Sequence, residues 1–323
     1  MADRGVPEIA EEYVPSYFAL VESGEFRERV QKLYHLMESC VLCPRECRVN
    51  RLTGNVGFCR VGTEPAVSSF GPHFGEEAPL VGVGGSGTIF LTGCNLGCVF
   101  CQNYDISHPS LEEIERQAVS RSDVAEMTLA LQLRGCHNIN FVTPTHQVAQ
   151  IMDAVEEAVK EGLILPIVYN CGGYESAEVL RLLDGIVDIY MPDMKYGDNE
   201  PGKAFSGVPD YWDRNREAIS EMHRQVGDLQ LAELREHPGH RVAVRGLLVR
   251  HLVLPEELAH TEEVVRFLAE EISNDTYINV MGQYWPAFQA ARDPRLARRP
   301  TMGEIRSARQ AACDAGLWRL DKE

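Results

Sequence analysis

Short apolar runs and longer amphipathic stretches alternate along most of the chain. Thr88–Thr92, Ile139–Thr143, Leu165–Asn170, Val187–Met191, Leu247–Leu254 and Tyr277–Met281 are rich in β-branched and apolar residues and read as buried strands. Between and after them, Asp123–Arg134, Gln147–Lys160, Ser176–Leu183, Tyr211–Val226, Thr261–Ile272 and Met302–Ala315 carry apolar positions at helical spacing. Strand followed by helix, about six times over, predicts parallel strands joined by right-handed crossovers. Six units are too few for a closed eight-stranded barrel, and periodicity alone leaves an open doubly wound sheet and a partial barrel both standing. Ahead of this region, Glu25–Met37 has an apolar helical face (Phe26, Val30, Leu33, Leu36, Met37). Residues 60–85 read as loops and short strands, and Glu233–Arg241 as a polar excursion.

Composition adds little to the fold and more to the chemistry. The 323-residue chain is 44% hydrophobic and 24% charged, the make-up of a globular protein. It has no apolar run long enough for a transmembrane helix, and the acidic start, Met1–Pro15, lacks the apolar core of a secretory signal. A net charge of −17 repels phosphate backbones and anionic lipid, so nucleic acid and membrane are not expected partners. Arg292, Arg295, Arg298 and Arg299 form one basic run, read as a solvated loop. A cytoplasmic, oxygen-poor setting is expected for the cysteine chemistry below.

Seven of the ten cysteines lie between Cys40 and Cys101. In a chain of this length without a signal peptide, such clustering points to metal rather than to a disulfide scaffold. Cys94, Cys98 and Cys101 follow directly on the first strand with C-x3-C-x2-C spacing. Three thiolates in one loop bind three irons of a cubane and leave the fourth iron open. The amino and carboxylate groups of S-adenosylmethionine (SAM) suit that open iron. Upstream, Cys40, Cys43, Cys47 and Cys59 supply four thiols around Pro44, Gly54 and Gly57, a donor set for zinc or for a second [4Fe-4S] cluster. Cys136 and Cys313 read as buried small apolar residues, and Cys171 as packing at a strand end.

The triplet, with Phe100 at the aromatic position before Cys101, resembles the radical SAM signature C-x3-C-x-aromatic-C. Over most of its length the chain looks similar to the family related to pyruvate formate-lyase activating enzymes, in the branch with cysteines ahead of the radical motif. That resemblance implies a partial (β/α)6 barrel over residues 86–323, preceded by an N-terminal extension, 1–85, that carries the four-cysteine motif. It implies a [4Fe-4S] cluster on Cys94, Cys98 and Cys101, with SAM at the C-terminal strand ends.

By position, the resemblance assigns SAM contacts to Phe100, to Thr143, Pro144 and Thr145 after the second strand, to Asn170 after the third, and to Asp193 and Lys195 after the fourth. On the fifth strand it assigns Arg250 and His251, although His251 alternates to the other side. Thr143–Thr145 lack the glycines and glutamate that the family carries there. Asn279, Gln283 and Tyr284 are candidate substrate contacts. The implied activity is reductive cleavage of SAM to a 5′-deoxyadenosyl radical that abstracts hydrogen from a small-molecule, peptide or protein substrate, with flavodoxin or ferredoxin as electron donor. Activation of a glycyl-radical partner enzyme, and a non-catalytic iron–sulfur carrier or scaffold, are the competing readings.

Overall fold

The computed structural model describes residues 13–321. Its centre is one eight-stranded sheet. Strands β2 (Ser86–Leu91), β3 (Ile139–Val142), β4 (Ile167–Cys171), β5 (Ile189–Pro192), β7 (His237–Leu252) and β8 (Tyr277–Met281) pair in that order, all parallel. These are the six strands expected from the apolar runs. Among the described residues no pairing joins β8 back to the start of the sheet, so the architecture is a partial barrel and not a closed one.

Two antiparallel strands had no apolar signature. β1 (Val67–His73) adds to the outer edge of β2, and its SSFGPH sequence leaves most of its side chains at least partly exposed. β6 (Gln230–Leu234) forms a hairpin with the first half of β7. His237–Arg241 are exposed, which is why this hairpin reads as a polar excursion in sequence. Only from Val242 onward does β7 enter the core.

The period of two along each strand sorts side chains into two environments. Outward-facing Ile139, Phe141, Ile167, Tyr169, Tyr190, Leu247, Val249, Ile278 and Val280 join the helices in the principal core. Inward-facing Val168, Ile189, Met191 and Leu248 form a smaller interior cluster. Leu80, from the β1–β2 connection, is fully buried in that inner cluster. The inward-facing Asn170, Arg250 and Asn279 lie on the same strands.

The helices follow the expected positions closely: α1 (Glu25–His35), α2 (Arg121–Leu133), α3 (Val148–Lys160), α4 (Ala177–Leu182), α5 (Tyr211–Val226), α6 (Thr261–Phe267) and α7 (Met302–Asp314). The start of α2 is set by Ser120, whose side chain accepts from the Asp123 N–H while the Asp123 carboxylate accepts from Ser120. Thr301 and Glu304 do the same for α7. The N-terminal segment is bound to the outside of the barrel. Arg27 pairs with Asp153 and Glu156 of α3 at 2.7 and 2.5 Å, and the Tyr17 hydroxyl donates to the Leu165 carbonyl at 2.8 Å. Among the described residues, no helix is long and apolar enough to cross a membrane. The basic run near the C-terminus is exposed and largely paired, Arg295 with Asp293 at 2.7 Å and Arg298 with Glu304 at 2.8 Å.

Candidate active site

The cysteine loop leaves the C-terminal end of β2 through Gly93, which has φ +88°. A side chain there would meet the Cys59 carbonyl at 2.8 Å, so both conformation and space call for glycine. The rest of the loop is clamped by backbone bonds. Gly97 N–H donates to the Ser206 carbonyl at 3.0 Å, Val99 N–H to Phe205 at 2.8 Å, and Gln289 N–H to Val99 at 2.8 Å. Phe100 is buried and packs edge-on against Tyr196 and Tyr284. Its described contacts are those of a packing residue holding the loop down.

Each of the three sulfurs has a hydrogen-bonding neighbour. Leu96 N–H donates to Cys94 Sγ at 3.4 Å. Ser206 Oγ lies 2.9 Å from Cys98 Sγ, and Ser107 Oγ 3.1 Å from Cys101 Sγ. A thiolate only accepts, so all three contacts suit deprotonated, metal-bound sulfur. Without metal, burial and then the nearby Cys98 push the Cys94 thiol up to about 12. Burial also raises Cys98, and Lys195 partly offsets it.

Across from the loop, the ends of β4, β5 and β7 converge in one ionic network. Asp193 Oδ2 accepts from Lys195 Nζ, and Asp193 Oδ1 accepts from Arg250 Nε at 2.9 Å. Arg250 Nη2 donates to Asn170 Oδ1 at 2.8 Å. Burial alone would push the Asp193 carboxyl up, but Arg250 and Lys195 outweigh it and hold it below the usual range. Burial would lower the Lys195 ammonium; Asp193 and the Cys98 sulfur hold it above its usual value. Lys195 also stands beside the cysteine loop: a Cβ on Gly172 would lie 2.8 Å from Leu96 Cδ1 and 3.8 Å from Lys195 Cε.

Behind the network, Gly173 at φ +75° sits so close that a Cβ would lie 2.0 Å from the Asp193 carbonyl. Asn215 from α5 donates to the carbonyls of Gly173 and Asp193 at 2.9 and 3.1 Å, fixing both strand ends.

Not every expected residue joins this group. Thr145 is buried and its hydroxyl donates to Glu175 Oε1 at 2.7 Å, with Tyr169 on the other oxygen at 3.0 Å. Pro144 is also buried, while Thr143 keeps some exposure. His251 faces the helical layer, bonded to the Met194 carbonyl at 2.6 Å and Thr261 Oγ1 at 2.9 Å. Burial lowers its imidazole to about 4, so it is a neutral core histidine away from the ionic network. Tyr284 donates to the Leu296 carbonyl at 2.7 Å and packs on Phe100. Asn279 and Gln283 do line the cavity described next. Cys136 and Cys171 are buried as expected, but Cys313, on the outer side of α7, is exposed.

Sequence reading missed Ser206, which reaches Cys98 from a distant part of the chain, and Ser107, which a short helix just past the motif brings back to Cys101. It also missed Glu76 and Glu77. These lie on the β1–β2 connection and line a cavity of about 530 Å³ with Arg250, Asn279 and Gln283. Asn279 Nδ2 donates to Glu77 Oε1 at 3.0 Å, and Glu77 Oε2 is buried with no partner. Two acids ahead of Ala78-Pro79 look like an ordinary helix start; only the fold turns them inward.

Residues 88–228 match the profile of the Radical SAM superfamily. The chain is also 33% identical over 289 residues to "Uncharacterized protein MJ0674" of Methanocaldococcus jannaschii, covering 88% of this chain and 77% of that one. The chain belongs to the radical SAM superfamily. Among solved structures, it is similar to Streptococcus suis SuiB bound to precursor peptide SuiA (TM-score 0.46, 12% identity, 69% of this chain and 44% of that one). It is likewise similar to a radical SAM methyltransferase from Sphaerobacter thermophilus (TM-score 0.45, 16% identity, 71% of this chain and 64% of that one). The chain therefore spans less than two thirds of the length of either. Members of the superfamily typically bind a [4Fe-4S] cluster and SAM.

Proposed function

We propose that this radical SAM protein cleaves SAM reductively at a [4Fe-4S] cluster on Cys94, Cys98 and Cys101, and directs the resulting radical at a substrate held inside the partial barrel. The observation that carries this reading is the meeting of the three-thiol loop with the Asn170–Asp193–Lys195–Arg250 network at one barrel end. When bound, the cluster supplies the electron that splits the S–C5′ bond of SAM into methionine and a 5′-deoxyadenosyl radical, which takes a hydrogen atom from substrate.

The chain's own residues do the rest. Leu96 N–H donates to Cys94, and the Ser206 and Ser107 hydroxyls lie where they would donate to Cys98 and Cys101 as thiolates. The Lys195 ammonium is a point cation suited to the carboxylate of SAM, and Asp193 keeps it aligned while also holding Arg250. Inward-facing Asn140 is fully buried with neither amide atom bonded to protein, and Glu77 keeps one oxygen unpaired. Polar groups left without protein partners in a barrel interior support a polar ligand there. A one-electron donor of the flavodoxin or ferredoxin class reduces the cluster.

The test is anaerobic reconstitution with iron and sulfide, addition of dithionite and SAM, and chromatography for 5′-deoxyadenosine. Wild type is expected to form it, and Cys94→Ala/Cys98→Ala/Cys101→Ala to form none. A fully loaded cluster that yields no deoxyadenosine with SAM would leave the carrier reading ahead.

A further inference from the structure

The upstream cysteines are distant in sequence from the radical motif but not in space. Cys40, Cys43, Cys47 and Cys59 line one small, closed pocket together with Arg51, Asn95 and His146. All four thiols are free. Two of the sulfurs meet a donor: Phe58 N–H reaches Cys47 Sγ at 3.5 Å, and Arg51 Nη1 reaches Cys40 Sγ at 3.9 Å. Sulfurs that accept N–H donors suit thiolates.

The pocket is also unbalanced as it stands. Arg51 is only 1% exposed, and its other bonds go to the carbonyls of His146 and Gly62, at 2.7 and 3.0 Å. No carboxylate is among its bonded partners, and its Nε is buried with no acceptor. A buried guanidinium needs a counter-charge, and the sulfurs are what the pocket offers. His146, 2% exposed, places its Nε2 2.9 Å from the Thr92 carbonyl, and its Nδ1 is buried without a partner. One donor and one ring nitrogen are thus orphaned on the wall of a pocket lined by four thiols.

An iron–sulfur cluster brings inorganic sulfides, which accept N–H donors; a bare zinc ion brings no acceptor for Arg51 Nε. We propose that Cys40, Cys43, Cys47 and Cys59 hold a second iron–sulfur cluster, with Arg51 as its buried counter-cation. This centre adjoins the first, because Cys59 packs under Gly93 and Asn95 forms part of its wall. The proposal does not depend on SAM cleavage.

The experiment compares wild type with Cys94→Ala/Cys98→Ala/Cys101→Ala and with that variant further changed at Cys40, Cys43, Cys47 and Cys59 to Ala. All are purified and reconstituted without oxygen, and iron, sulfide and zinc are counted. The triple variant is expected to keep about half the iron and sulfide of wild type, and the sevenfold variant none. Zinc without sulfide in the triple variant, or no metal at all, overturns the proposal, whatever the deoxyadenosine assay gives.

Because the sevenfold variant carries the risk of misfolding, Arg51→Leu and Arg51→Lys are made in the triple background and titrated by EPR. Removing the cation is expected to shift the remaining cluster's midpoint potential to more negative values, and lysine to restore most of the shift. Equal potentials in all three proteins would remove Arg51 from the assignment.

Discussion

Asp193→Asn is the most informative single change at the ionic network. The side chains of Asp193, Lys195 and Arg250 are 16, 18 and 19% exposed, so solvent screens their pairing only weakly. Asparagine keeps the shape but offers one acceptor oxygen where the carboxylate offers two, so either Lys195 or Arg250 is left facing an NH2 group and the other bond loses its anionic acceptor. Breaking a buried pair in this way is expected to cost about 3 kcal/mol or more. Two cations are then left beside each other with no anion between them. Urea unfolding is expected to show that loss of stability. Titration of the cluster-loaded protein with SAM is expected to show affinity at least about tenfold weaker, or about 1.4 kcal/mol, because Lys195 is no longer aligned. Lys195→Met removes the ammonium itself and is expected to weaken SAM at least as much. If both variants lose stability yet bind SAM within twofold of wild type, the network is a strut between strand ends, and its assignment to SAM is refuted.

Other outcomes follow from single contacts. Ser206→Ala removes the hydroxyl beside Cys98, and EPR-monitored titration is expected to show a more negative potential for the SAM-site cluster; an unchanged potential would make Ser206 a packing residue. Gly173→Ala forces a Cβ to 2.0 Å from the Asp193 carbonyl and is expected to abolish soluble protein, whereas Gly162→Ala, with φ +104° and open space, is expected to lower stability by only about 1 kcal/mol. Glu175 is held up at about 7 by burial, against hydrogen bonds from Thr145, Tyr169 and Cys171. The folded state therefore binds its proton more tightly than the unfolded chain, so this stabilisation is complete below the ordinary carboxyl range and is lost as pH rises through about 7. Glu175→Gln is expected to flatten the difference in unfolding free energy between pH 5 and pH 8 by up to about 3 kcal/mol. Asp188, also raised by burial, to about 6, has the same sign but cancels between the two proteins.

The buried parallel strands were legible in sequence because their β-branched runs are apolar on both faces, as strands covered by helices outside and a core inside must be. The cysteine loop, Asn170, Asp193, Lys195 and Arg250 were legible for the opposite reason: each puts thiol or charge at or near the end of such a run. β1 was legible only as part of a stretch of loops and short strands, and the β6–β7 hairpin only as a polar excursion, since exposed edge strands need no apolar alternation. Glu76, Ser107, Ser206 and Arg51 were invisible for another reason. Glu76, Ser206 and Arg51 gain their significance from contacts with distant parts of the chain, and Ser107 from a short helix that carries its hydroxyl back to Cys101. His251 shows the limit within a single strand. Its neighbour Arg250 turns inward to Asp193, and one residue of alternation turns His251 into the helical layer.

The two-sided strands have a consequence for how this scaffold can change. Outward positions such as Phe141, Tyr169 and Val249 are locked into the principal core, where lost volume is costly. Inward positions, among them Asn140, Asn279 and Met281, lie outside that core. A lineage, or a directed-evolution library, can therefore trade residues at the inward positions to accept new molecules while the outward ones keep the protein folded. Variation confined to one side of each strand is what a scaffold needs if it is to diversify its substrates without relearning how to fold.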